Sequence, residues 1–186
     1  MIDLLTAAGG NLASVKKLLE RTGTMWREVC LPSDLSSGNP LLIPGVGSFG
    51  GVLKKLDEKG FISLLKATAA QGTSILGICS GMQILFESSE ESPGVRGLGL
   101  IPGKVVRFKE GRVPNIGWSR LHVSGGYVYF VNSYHARTEY AVDWGVHNGR
   151  RFTAAAEKGN VSGFQFHPEK SHKEGEEIFR RWRDGL

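Results

Sequence analysis

The sequence predicts an α/β fold: a mostly parallel, doubly wound sheet flanked by helices, with an antiparallel extension in its second half. Three observations predict it. Strand-like and helix-like segments alternate through the first half, an order that builds a parallel sheet with its site at the carboxyl ends of the strands. The run Leu41-Leu42-Ile43 is apolar at every position, as expected where both faces of a sheet are covered. The second half carries short strand-like runs separated by turn signals, the pattern of antiparallel pairing. A length of 186 residues suits one domain with a full core, so 1–186 reads as a single domain.

In chain order, residues 1–5 read as the first strand. Gly9-Gly10 turns the chain, and Asn11 is placed as the N-cap of a helix whose Leu12, Val15, Leu18 and Leu19 share one face. Gly23 ends that helix. Residues 27–31 read as a second strand, followed by a polar loop over 32–39 that includes Ser37. The third strand, 41–43, runs into Pro44-Gly45-Val46-Gly47-Ser48-Phe49-Gly50. Helical segments follow over 52–58 and 61–69, split at Gly60. Residues 73–76 read as the fourth strand, and Met82-Gln83-Ile84-Leu85-Phe86 as the start of a helix. After a polar loop over 88–94, strands are expected at 105–108, 120–123, 127–131, 152–156 and 161–166. The tail, 175–183, reads as an amphipathic helix with Ile178, Phe179 and Trp182 inward.

Chemistry concentrates at Gly77-Ile78-Cys79-Ser80-Gly81, between the fourth strand and the next helix. Strand, sharp turn with a glycine two residues either side of a nucleophile, then helix is the nucleophile-elbow pattern, here with cysteine. The helix that follows would aim its N-terminus at the sulfur and favour the thiolate. A lone cysteine is otherwise often a small core residue; the flanking glycines favour chemistry. A cysteine nucleophile needs a base, and the base an orienting group. His167-Pro168-Glu169 supplies both: two residues apart on an extended segment, the imidazole and the carboxylate share one side. The N–H groups of Val46 and Ser80 are candidates for an oxyanion hole, because the glycines around Val46 let that backbone approach a substrate.

Composition excludes several alternatives. The longest apolar runs fall far short of a membrane span. The N-terminus carries an acid and no basic cluster, which predicts no signal peptide. Two cysteines are too few for a disulfide scaffold, so a reducing cytoplasm is expected, with Cys30 in the core. The net charge of +5 is spread as short basic pairs without interleaved aromatics, which argues against nucleic acid. No Cys/His cluster has zinc spacing, so neither metal nor other cofactor is expected.

Gly-x-Cys-x-Gly, the Pro-Gly-x-Gly loop before it and Phe-His-Pro-Glu near the C-terminus together resemble the class I, triad-type glutamine amidotransferases, whose sheet is flavodoxin-like. Further segments narrow the resemblance. They are Gly97-Leu98-Gly99-Leu100-Ile101-Pro102-Gly103, Val113-Pro114-Asn115-Ile116-Gly117-Trp118, Tyr129-Phe130-Val131-Asn132-Ser133-Tyr134-His135-Ala136 and His167-Pro168-Glu169-Lys170-Ser171. With them the chain is similar, over nearly its whole length, to the family of glutaminase subunits of imidazole glycerol phosphate synthase. The resemblance implies that Cys79, His167 and Glu169 hydrolyse L-glutamine through a γ-glutamyl thioester. Ammonia would then pass to a (β/α)8-barrel cyclase subunit in a heterodimer that serves histidine biosynthesis. It implies that Gly47, Gln83 and the Ser133-Tyr134-His135 backbone hold glutamine, and that Asn11, Trp118, Tyr134 and Lys170 lie near the cyclase. The flexible glycines of Gly45-Val46-Gly47 lead one to expect an oxyanion hole completed only with the partner and its ligand, and so weak or no activity of the chain alone. Two departures stand out: residues 5–11 keep only the Gly-Asn end of the family's Asp-Tyr-Gly-x-Gly-Asn segment, and Ser80 stands where leucine is more usual. The rival readings are the same chemistry serving another synthase, a stand-alone cysteine γ-glutamyl hydrolase, and an inactive module that only stabilises a partner.

Overall fold

In the computed structural model, which describes residues 1–36 and 38–185, the alternation of the first half builds parallel strands joined by helical crossovers. β1 (Ile2–Leu5) leads through α1 (Leu12–Arg21) to β2 (Trp26–Val29). β3 (Leu41–Ile43), α2 (Phe49–Glu58), α3 (Phe61–Ala70) and β4 (Ile75–Ile78) follow, and a single turn, α4 (Ser80–Gln83), leaves the end of β4. The second half adds β5 (Ser88–Ser89), β6 (Lys104–Arg107), β7 (Asn115–Arg120) and β8 (Tyr127–Asn132). Then come β9 (Tyr134–Arg137), β10 (Ala141–His147), β11 (Arg150–Lys158), β12 (Val161–Phe164) and the tail helix α5 (His172–Asp184).

The main sheet has the order β10-β11-β12-β4-β3-β1-β2. From β12 to β2 every neighbouring pair is parallel, and β11 and β10 extend one edge in antiparallel fashion. Two smaller sheets, β5-β6-β9 and β7-β8, cover the carboxyl end. The period-2 alternation of the strands divides the core. Leu41, Ile43 and Ile75 face Phe49, Leu53, Leu56, Phe61 and Leu65 of α2 and α3. Leu42, Leu76 and Ile78 face Val15, Leu18 and Leu19 of α1 and Phe179 of α5. Among the described residues no helix is long and apolar enough to cross a membrane.

Several boundaries differ from the sequence reading, each for a local reason. Asn11 precedes α1, but its side chain makes no capping bond. β2 stops at Val29 because the Asp34 carboxylate takes the N–H groups of Cys30 and Leu31, at 3.0 and 2.7 Å. Cys30 is exposed rather than in the core. In the loop after it, Ser37 lies outside the described residues. α2 begins at Phe49 because Ser48 caps it and the Glu91 carboxylate accepts the Phe49 N–H at 2.6 Å. The expected strand at 120–123 is instead β7, Asn115–Arg120; beyond it Asp143 binds the N–H groups of Val123 and Ser124 and holds a turn. The fourth strand is shifted to Ile75–Ile78, and β12 stops at Phe164.

The helix expected after Cys79 is one turn long. The carbonyls of Ile84, Leu85 and Phe86 accept hydrogen bonds from Leu98, Gly99, Leu100 and Ile101 instead of continuing it. An axial dipole summed over so few peptides is small, so the turn after Cys79 lends the sulfur little of the field a long helix would.

Candidate active site

Three adjacent parallel strands, β12, β4 and β3, end side by side, with Phe164 paired to Ile78 and Ile43 paired to Gly77. The chain leaving β4 presents Cys79, the chain leaving β12 presents Gln165 and His167, and the chain leaving β3 presents Gly45-Val46-Gly47. Sheet order alone thus brings together segments far apart in sequence.

Cys79 has φ 55° and ψ −112°, a conformation that costs a non-glycine residue about 1–3 kcal/mol. Its N–H donates to the Phe164 carbonyl at 2.7 Å and its own carbonyl accepts from Gln83 N–H at 3.0 Å, which hold it there. The flanking glycines serve contact. A Cβ on Gly77 would fall onto the Gly81 carbonyl, and one on Gly81 onto the Ile43 carbonyl. Gly45 in turn lies against Ser80 and Gly81, so a side chain there would strike the elbow backbone. The Ser80 hydroxyl donates to the Gly47 carbonyl at 2.7 Å.

His167 and Glu169 do meet, with Nδ1 of the imidazole 2.7 Å from Oε1 of the carboxylate and both side chains buried. The route differs from the expected extended strand. His167 is extended, but Pro168–Lys170 forms a 3-10 turn that folds the carboxylate back under the ring. The His167 backbone is anchored from β8: its N–H donates to Tyr129, and Ser171 Oγ donates to its carbonyl while accepting from the Tyr129 N–H. His167 Nε2 is buried with no conventional hydrogen-bond partner and is left to the Cys79 sulfur. Burial disfavours the imidazolium, but Cys79 and Glu169 outweigh it, and His167 is pushed up to about 10. A sulfur, an imidazole and a carboxylate in this order suit attack on an acyl carbon with a proton delivered to the leaving group.

A cavity of about 220 Å³ opens over the sulfur, lined by Val46, Gly47, Cys79, Ser80, Gln83, Ser133, Tyr134 and His167. His135 does not line it. Alternation along β9 turns its ring to the opposite side, where it stacks on Phe108 with 4.7 Å between ring centres. There burial lowers its pKa, and it lines a second cavity among Arg107, Arg137 and Arg151.

Three residues of the site escaped the sequence reading. Gln165 Nε2 lies 3.8 Å from Cys79 Sγ, and Gln165 Oε1 accepts from Gln83 Nε2 at 2.9 Å. Asn132 donates to the Tyr134 carbonyl at 2.8 Å, and Glu91 lines the same cavity. Gln165 stands two residues before His167 on an extended segment, which was the available signal; Glu91 and Asn132 gave none.

Outside the cavity, Asn11 and Lys170 are exposed, and Trp118 is 47% exposed rather than a core aromatic. Trp118 stacks flat on His172 at 5.2 Å, and Lys170 Nζ sits 5.9 Å from the centre of the Tyr129 ring. Among the described residues no group of three or more His, Cys, Asp or Glu side chains is placed to hold a metal ion.

Comparison with known proteins agrees with this geometry. The glutamine amidotransferase class-I family model matches residues 35–183. The imidazole glycerol phosphate synthase subunit HisH of Thermus thermophilus is 43% identical over 180 residues, which span 92% of this chain and 91% of that protein. The protein of the same name from Thermotoga maritima is 35% identical, over 97% of this chain and 94% of that one. Among solved structures, a glutamine amidotransferase superposes with a TM-score of 0.82 at 22% identity, covering 100% of this chain and 99% of that one. Thermotoga maritima PurLQS superposes with a TM-score of 0.76, also at 22% identity, over 100% of this chain and 98% of that one. At this identity the structures speak for the fold; the family rests on the sequence matches. The chain belongs to the class-I glutamine amidotransferases and, within them, to the family of imidazole glycerol phosphate synthase subunits HisH.

Proposed function

We propose that the chain hydrolyses the side-chain amide of L-glutamine to L-glutamate and ammonia, and that it delivers the ammonia to a (β/α)8-barrel cyclase subunit. There the ammonia would enter imidazole glycerol phosphate, with release of aminoimidazole carboxamide ribotide, in cytoplasmic histidine biosynthesis. The observation that carries the reading is the buried series Cys79, His167 and Glu169 at the ends of neighbouring strands. The relatives named as imidazole glycerol phosphate synthase subunits support the partner.

The chemistry follows from the groups present. The Cys79 thiolate attacks the amide carbon, and the carbonyl oxygen takes up the displaced electron pair. The N–H groups of Val46 and Ser80 receive that oxyanion. The His167 imidazolium gives its Nε2 proton to the amide nitrogen, the C–N bond breaks and ammonia leaves. Water then attacks the γ-glutamyl thioester, its proton passes to His167, the C–S bond breaks and glutamate departs. Glu169 holds the Nδ1 proton throughout, which fixes the ring and stabilises its charged form. Gly47, Gln83 and the Ser133-Tyr134-His135 backbone would hold glutamine, and Asn11, Trp118, Tyr134 and Lys170 would face the cyclase.

The test is glutamate release by the purified chain, alone and with the cyclase subunit and its nucleotide ligand. Strong stimulation by both, abolished in Cys79→Ala, is expected. Full turnover without the partner would instead favour a free-standing hydrolase. Glutamine-dependent synthesis by Cys79→Ala at the wild-type rate would leave only a structural role.

A further inference from the structure

The residue after the nucleophile is read above for its backbone N–H alone, yet its side chain is engaged. Ser80 is 5% exposed, and its hydroxyl donates to the Gly47 carbonyl at 2.7 Å. This bond joins α4 to a loop 33 residues earlier in the chain.

The same elbow holds that loop at a second point. Gly45 packs on the backbone of Ser80 and Gly81 so closely that a Cβ on Gly45 would overlap both. The loop is therefore held on each side of Val46 by the segment that follows Cys79. Between the two holds, Val46 is 46% exposed. Gly47 has φ 112°, with no atom within 4 Å of where a Cβ would sit. A residue with so little packing around it takes its orientation from its ends. One end is fixed by backbone contact; at the other, the Ser80 hydroxyl holds the Gly47 carbonyl just before the chain enters the Ser48 cap of α2.

We propose that Ser80 is a positioning residue for the transition-state oxyanion: its hydroxyl, through Gly47, keeps the Val46 N–H in register with the N–H of Ser80 itself. The inference rests on the glutaminase reading above. It gives the position after the nucleophile two tasks, one N–H donor from its backbone and control of the second donor from its side chain. An apolar side chain there could perform only the first. Donors aimed at a developing oxyanion act on the chemical step and leave substrate binding largely alone.

Ser80→Ala tests this, measured with the full chain in complex with the cyclase subunit. The expected loss of kcat is about three- to tenfold, the range of one hydrogen bond, with KM unchanged. Glutamate γ-semialdehyde supplies a second readout. The Cys79 sulfur bonds to its aldehyde carbon and the thiol proton ends on the former carbonyl oxygen, giving a tetrahedral hemithioacetal. Its affinity should weaken by the same factor as kcat, while alkylation of Cys79 by iodoacetamide keeps its wild-type rate. Deuterium uptake over residues 45–48 should rise in the variant and stay constant elsewhere. Wild-type kcat and aldehyde affinity, or unchanged uptake over 45–48, would overturn the proposal. So would a parallel collapse of KM and alkylation rate, which marks general damage to the site. If the wild-type complex released no glutamate, the glutaminase reading itself would fail, and the uptake measurement would still decide whether Ser80 holds the loop.

Discussion

Cys79 and Phe164 are joined by a backbone hydrogen bond of 2.7 Å, N–H to carbonyl. It carries the β4–β12 pairing one residue past the end of β4 and holds Cys79 in its strained turn. Gln165 follows Phe164 directly and His167 stands three residues past Phe164, so the same bond sets where the imidazole stands relative to the sulfur. The nucleophile and its proton carrier are registered by the sheet itself, and both main-chain segments are buried.

Glu169→Gln keeps the side chain's size and removes its charge. His167 then loses one of the two groups that hold it up at about 10. A fall in kcat of about 10²- to 10⁴-fold is expected, the range for a lost acid–base contribution. The pH profile gives a second check. The folded value of His167 lies above its ordinary 6.5. The imidazolium's contribution to stability is therefore complete below pH 6.5 and is lost as pH rises toward 10. The alkaline limb of kcat/KM should lie near pH 10 in the wild type and move to lower pH in the variant.

Gln165→Leu removes an amide that is fully buried between Cys79 Sγ and Gln83. The Gln83 Nε2 group keeps the Tyr134 carbonyl, at 3.2 Å, as its remaining partner. Stability in urea should fall by about 1–3 kcal/mol, the cost of an under-satisfied buried group. Turnover should fall as well, because the same change frees the Cys79 side chain.

Trp118→Ala tests the proposed cyclase face. A half-exposed tryptophan stacked on a histidine at 5.2 Å is a rigid aromatic platform. Affinity for the cyclase subunit, measured by calorimetry, should drop about 30-fold or more, as for an interface anchor. The free chain's melting temperature should change little.

Asp3 lies on β1, between β3 and the edge strand β2, and ties that edge to the loop that follows it. It is buried, and its carboxylate accepts from Arg27 at 2.7 and 3.0 Å, from the Ser36 N–H and from Asn39. Burial alone would raise its pKa, but these partners together hold it below 3.8. Its contribution to stability is therefore present above pH 3.8 and lost as pH falls through the lower folded value. Asp3→Asn should cost about 2–3 kcal/mol at neutral pH, in the range of hydrogen bonds to a charged group. It should also flatten the acid limb of the stability profile.

What could be read in the sequence was chemistry tied to local pattern. Cys79 between paired glycines, His167 two residues from Glu169 and the apolar run 41–43 each carry their reason within a few residues. What could not be read was decided across space. The run 82–86 looks helical, but the loop 98–101 takes its carbonyls after one turn. β7 alternates as a strand should, yet its apolar members Ile116 and Trp118 face outward, so its pattern reads inverted. β10 buries Asp143 in mid-strand, tolerated because four hydrogen bonds from Val123, Ser124 and Trp144 satisfy it. The His135 ring turns away to Phe108 because strand alternation, which a family segment does not reveal, decides which side chains of β9 face the cavity; the resemblance implies only its backbone at glutamine.

The central claim is that Cys79 carries the glutamyl group. Rapid acid quenching of the complex during glutamine turnover, followed by peptide mass spectrometry, tests it most directly. The account predicts one γ-glutamyl adduct, on the peptide containing Cys79, released by hydroxylamine and absent in Cys79→Ala. Glutamate release at the wild-type rate in Cys79→Ala, or turnover with the adduct on another residue, would contradict it.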